Sequence, residues 1–155
     1  MNDSSPSSPG SSQTGSSFDS SKLELKLSVK LRAEHSAVDE VVRSVMEVVR
    51  NAGCTPGRED DVELALAEAL ANAVVHGAKS DPSKTVECDV ACNNQGGVWI
   101  VVRDPGPGFD PSQITNPLAG ENIYGNHGRG IFLINQLMDE VRFHKNGAEI
   151  HMIKK

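Results

Sequence analysis

From Leu23 to Val29 the chain alternates, with Leu23, Leu25, Leu27 and Val29 each separated by one polar residue, the period of a strand with one buried face. The period then changes. Val38, Val41, Val42, Val45, Met46 and Val49 recur at helical spacing until Gly53 supplies a stop. Valine is a modest helix former because branching at Cβ restricts its rotamers, so burial has to set this helix. A second helix follows Thr55-Pro56-Gly57, with Val62, Ala65, Leu66, Ala69, Ala73 and Val74 along one side and Gly77 as its stop. Its many alanines let neighbouring backbone come close. The apolar runs TVECDVAC (85–92) and VWIVVR (98–103) flank NNQGG, which predicts two antiparallel strands joined by a hairpin. IFLINQLMDE (131–140) returns to helical spacing, and VRFHK with AEIHMIK predicts a closing hairpin around Asn146-Gly147. No internal repeat is visible.

The chain opens with MNDSSPSSPGSSQTGSSFDS, where Ser, Pro and Gly replace apolar residues, so a disordered tail is expected over 1–21. At 155 residues and 37% hydrophobic content the rest suits one domain with a sizeable core. A net charge of -6 argues against a surface built to neutralise nucleic-acid phosphates or an anionic bilayer. No apolar run approaches the roughly 20 residues of a membrane span, and the N-terminus lacks the basic and apolar regions of a signal peptide, so a cytoplasmic protein is expected. Cys54, Cys88 and Cys92 are too few and oddly numbered for a disulfide framework, which fits a reducing compartment. Cys88 and Cys92, on one face of a strand, are read as core residues rather than a metal pair.

Candidate chemistry sits in three places. In EALANAVVHG (68–77), Glu68, Asn72 and His76 stand four apart along the border of the apolar stripe, where they would edge a pocket. DPGPG (104–108) follows directly on the strand 98–103. Asp104 is an acceptor suited to an exocyclic amine such as that of adenine, while Gly106 and Gly108 let a flat ring approach backbone. GRGIFL (128–133) opens a helix, and Gly128 and Gly130 bare N–H groups where the helix dipole favours phosphate. Asn72 offers Mg²⁺ a neutral oxygen, and Glu68 one turn earlier is placed to accept a proton from a hydroxyl attacking a γ-phosphate. Each motif alone has an ordinary reading, as a solvated edge, a turn or a tight helix entry. Their order along the chain carries the weight. The long Gly- and Pro-rich segment from Asp104 to Gly130 adds to it, because such loops in a compact domain are usually functional.

With these motifs the chain resembles the GHKL superfamily of ATP-binding domains. Glu68 to Asn72 match its N box, Asp104 to Gly108 its G1 box and Gly128 to Gly130 its G2 box, over residues 22–155. EALANAVVHG and GRGIFLI are most similar to the bacterial anti-sigma factor serine kinases. The resemblance implies an α+β Bergerat fold, a two-layer sandwich with helices on one face of a mixed, largely antiparallel sheet. It implies ATP and Mg²⁺ as cofactors, and a sigma factor and a STAS-type anti-anti-sigma antagonist as partners. Phosphorylation of a serine or threonine on the antagonist and a homodimer follow, without direct nucleic-acid or membrane contact. By motif position, Glu68 is implied as general base, Asn72 as the Mg²⁺ ligand and Asp104 as the adenine reader. Gly106, Gly108, Gly128 and Gly130 are implied as lid hinges and phosphate cradle. His76 is counted with the nucleotide-binding positions, and His127 and Arg129 are candidate phosphate contacts. Ile131 departs from a more usual leucine, and Pro111 to His127 match no family motif.

Histidine kinases share these boxes but also need a dimerisation helix carrying a phospho-accepting histidine, a context that His35 lacks. The ATP-splitting machines of the superfamily append further domains. The remaining alternative is a regulatory module that binds nucleotide and a sigma factor without phosphoryl transfer. Glu68 favours the enzyme, since nucleotide binding alone needs no base there.

Overall fold

The computed structural model describes the backbone of residues 23–93, 96–108 and 126–155, with side chains from 26 to 93, 96 to 108 and 130 to 155. The tail expected over 1–21 and most of the segment from Pro111 to His127 lie outside these residues. The alternating segment forms β1 (Leu23–Arg32) and the valine-rich one α1 (His35–Ala52). α1 stops where Gly53, left-handed at φ 65°, donates its N–H to the Arg50 carbonyl. α2 (Glu59–Asn72) begins on Glu59, Asp60 and Asp61, whose charges suit the positive end of the helix dipole. It runs on into one π-helical turn, Ala73–Gly77, with a wide Ala78 N–H to Ala73 carbonyl bond of 2.8 Å. β2 (Thr85–Asn93), β3 (Val98–Arg103), α3 (Asn126–Leu137), β4 (Glu140–His144) and β5 (Glu149–Lys154) follow, the last two joined by a 3-10 turn over Lys145–Gly147.

The strands form one sheet in the order β1-β2-β3-β5-β4, and every neighbouring pair is antiparallel. Among the described residues the sheet is thus wholly antiparallel where the resemblance implied a mixed, largely antiparallel one, and the implied α+β arrangement holds. Two helical passes separate β1 from β2, so the chain re-enters the sheet running against β1. One helical pass and a hairpin return β5 antiparallel to β3.

All three helices cover one face. Val45, Met46 and Val49 of α1, Val62, Leu66 and Leu70 of α2 and Ile134 of α3 are fully buried on alternate strand residues: Val86, Cys88 and Val90, Val98, Ile100 and Val102, then Ile150 and Met152. The intervening residues turn to the other face, where Arg103 bonds Asp89 and, at 3.2 Å, Glu149. Glu149 also accepts from His151 at 2.6 Å. No described helix is long and apolar enough to cross a membrane.

The cysteines depart from expectation. Cys54 and Cys92 are joined by a disulfide, with Cα atoms 5.7 Å apart and both residues buried. The loop after α1 folds against the β2–β3 turn, where Gly97 donates its N–H to the Cys54 carbonyl at 2.6 Å. That long-range contact brings together two sulfurs that no local pattern relates. Cys92 is a core residue as expected, but as half a cystine. Cys88 keeps a free thiol, which burial above all pushes up to about 12.

Candidate active site

A cleft of about 250 Å³ opens beside the C-terminal end of α2. Val102 and Ile150 contribute from the sheet, Ala69 and Ala73 from α2 and its π-turn, Ile131 from α3, and Phe143, Gly147 and Ala148 from the β4–β5 hairpin. Alanines facing the cleft leave room that larger side chains would fill. The polar lining comes from Asn72, His76 and Asp104, with Gly108 at one side.

Asp104 is held from several directions. Its N–H donates to the Ala148 carbonyl at 2.9 Å, which ties the end of β3 to the start of β5. Its Oδ1 accepts the Gly106 N–H at 2.8 Å. Burial raises the pKa of this carboxyl, against the opposing pull of the Gly106 bond. Glycines make the packing around it feasible: a Cβ on Gly77 would overlap the Asp104 carboxyl, and one on Gly106 would overlap the Gly77 carbonyl. Gly108, left-handed at φ 81°, leaves no space for a Cβ beside the Asn146 carbonyl.

Glu68 and Asn72 meet over Gly130. A Cβ there would lie 2.7 Å from Asn72 Nδ2, 3.1 Å from Glu68 Oε2 and 3.2 Å from Asn72 Oδ1. Both side chains thus converge on one bare patch of α3. Asn72 Nδ2 is buried there without a hydrogen-bond partner among the described residues. A buried orphan of this kind costs on the order of 1–3 kcal/mol, a cost that a bound ligand can remove.

His76 stands in the π-turn that follows Asn72 and lines the cleft with it, at the border where the sequence stripe put it. It is exposed at the cleft, with partial desolvation lowering its pKa. α3 starts at Asn126, two residues before the glycine motif. Gly128 therefore falls among the four N-terminal residues whose N–H groups lack helical partners, whereas Gly130 is the fifth. What Gly130 contributes is the missing side chain. The side chains of His127 and Arg129 lie outside the described residues.

The sequence pattern missed Gly77, which it took only for a helix stop, and the hairpin residues Phe143, Gly147 and Ala148. Val102 and Ile150 were within reach, since strand alternation puts them on the helix side.

Residues 31–154 match the family described as histidine kinase-like ATPase domain. The serine-protein kinase RsbW of Staphylococcus epidermidis is 31% identical over 137 residues, covering 83% of this chain and 85% of that protein. RsbW of Bacillus thuringiensis strain Al Hakam is 31% identical over 144 residues, covering 86% and 84%. A crystal structure of the RsbU and RsbW domains of Rv1364c from Mycobacterium tuberculosis superposes with a TM-score of 0.57 at 20% identity. It shares the fold over 84% of this chain, which spans 31% of that longer one. A domain model that matches residues 31–154 and relatives 31% identical over more than four fifths of both chains lead to one conclusion: this chain belongs to the histidine kinase-like ATPase domain family, with the RsbW serine-protein kinases.

Proposed function

We propose that this protein is an ATP- and Mg²⁺-dependent kinase that phosphorylates a serine or threonine on a STAS-type anti-anti-sigma antagonist and sequesters a sigma factor. A homodimer working in the cytoplasm fits this reading. The observation that carries it is the convergence of Glu68 and Asn72 on Gly130, beside a cleft with Asp104 in its wall.

The residues present suit the cofactor. Asp104 offers a half-buried carboxylate whose Oδ2 has no hydrogen bond among the described residues, an acceptor for an exocyclic amine. Asn72 Nδ2 has no hydrogen-bond partner among the described residues, and rotation of the amide exchanges its oxygen and nitrogen, so a neutral oxygen is available to a hard cation. Gly128 lies where free N–H groups and the helix dipole favour phosphate. Bound ATP and Mg²⁺ would supply the transferable phosphoryl group and the neutralisation of its charge. Glu68 takes the proton from the incoming hydroxyl, the cleft around Ala69 and Ala73 holds the base, and Asp104 sets its orientation. Phosphate on the antagonist adds a charge of roughly -2, which can break the complex apart and free the kinase for its sigma factor.

The test compares parent and Glu68→Gln at saturating Mg²⁺ and γ-labelled ATP, with a direct binding measurement for each. Glutamine keeps the size and one acceptor but is a very poor base, so binding survives while transfer falls by a factor on the order of 10² or more. Equal transfer by the two proteins would show the base misassigned. A parent that transfers to no cognate antagonist yet binds a sigma factor would establish the regulatory module instead.

A further inference from the structure

We infer that Gly77 is a positioning residue that fixes the base-reading carboxylate of Asp104, an inference that rests on the proposed nucleotide reading of the cleft. The π-turn brings Gly77 against the end of β3, and the space a side chain would occupy there is filled by the Asp104 carboxyl. The packing is reciprocal. Where a side chain on Gly106 would stand, the structure has the Gly77 carbonyl. The Gly106 N–H donates to Asp104 Oδ1 at 2.8 Å, so Gly77, Asp104 and Gly106 form a closed set of contacts. Asp104 is thereby confined by Gly77 on one side and tethered by the Gly106 N–H on another, with the cleft open to it.

This arrangement gives the π-turn a purpose beyond ending α2. A turn closed by an i→i+5 bond is an uncommon geometry that tends to persist at functional sites. Here its last residue is Gly77, whose φ is not left-handed. Backbone conformation therefore does not demand glycine at this position. What demands it is the carboxylate beside it.

A purely structural glycine and a positioning one differ in what they do to base recognition. The probes are ATP and the same triphosphate lacking the 6-amino group, with affinities measured by calorimetry for the parent and Gly77→Ala. The parent should prefer ATP by about tenfold, as expected for one hydrogen bond to a charged acceptor. In Gly77→Ala the displaced carboxylate should bring that ratio close to one. If the parent itself shows no preference, the nucleotide reading of Asp104 fails. If the parent discriminates and Gly77→Ala keeps the full ratio, the positioning role fails.

A thermal-stability cycle with Asp104→Ala covers the case in which Gly77→Ala folds poorly. Removing the carboxyl removes the clash, so Gly77→Ala should destabilise much less in the Asp104→Ala background than in the parent. Additive losses would overturn the proposal.

Discussion

Reduction of the Cys54–Cys92 bond is the perturbation with the most calculable effect. The two cysteines are 38 residues apart in sequence, and the disulfide denies the unfolded chain the freedom of the loop between them. The loop-entropy relation puts the stabilisation at roughly 4 kcal/mol for such a separation, between about 3 kcal/mol for 15 residues and about 4.7 kcal/mol for 100. That figure is a ceiling, because the segment contains α2, and residual helix in the reduced unfolded chain leaves less entropy to lose. A loss of about 2–4 kcal/mol on reduction is therefore expected. For a domain of this size each kcal/mol moves Tm by about 3–4 °C, so the reduced protein should melt roughly 10 °C lower.

The assay is thermal unfolding followed by far-UV circular dichroism after mild oxidation, with and without a phosphine reductant. A thiol count in denaturant runs alongside. Cys88 alone should react in the oxidised sample, and Cys54 and Cys92 should join it after reduction. Reaction of all the cysteines in oxidised protein, or identical melting of the two forms, would refute the reasoning.

The other predictions concern the cleft. Asp104→Ala should cost roughly 1–3 kcal/mol of ATP binding by calorimetry, with ATP preferred over GTP by the parent. Burial raises the Asp104 pKa above the ordinary 3.8, so acidification should protonate it early. ATP affinity should then fall as pH drops through that raised value, and Asp104→Ala should lose this dependence. Asn72→Ala should abolish most of the gain in ATP affinity that Mg²⁺ confers, read from binding curves with and without the ion.

Much of the fold was legible because burial on one side leaves a period in the sequence. The valine helix ended at Gly53 as its spacing indicated, Leu27 and Val29 of the alternating first strand pack against the core, and Cys88 and Cys92 are buried on one face of β2. Glu68 and Asn72 were legible as a pair because i and i+4 on an α-helix share a face. His76 was legible as a residue of the same border, but the π-turn that carries it was not, since an i→i+5 turn leaves no signature that separates Ala73–Gly77 from ordinary helix. The cystine and the pairing of Gly77 with Asp104 depend on contacts between distant segments. Local pattern carries no information about such contacts. Phe143 and Ala148 escaped notice for the same reason: they became part of a binding wall only when β5 docked beside β3.

The antiparallel ladder between β1 and β2 also has a consequence during synthesis. Its pairs run from Arg32 with Thr85 to Leu23 with Asn93, so the partner strand leaves the ribosome about 50 to 70 residues after β1. At about 5–20 residues per second, β1 waits several seconds while both intervening helices are made. Throughout that interval it is a segment patterned with one apolar face and without its partner, open to pairing with any other nascent chain. Lys26 and Lys30, both exposed in the finished domain, put positive charge on the face away from the core. Lys30 later settles 3.7 Å from Glu87 of β2. Such exposed ion pairs add little to the folded state, so the lysines matter more as gatekeepers that keep β1 unclaimed until its own partner arrives.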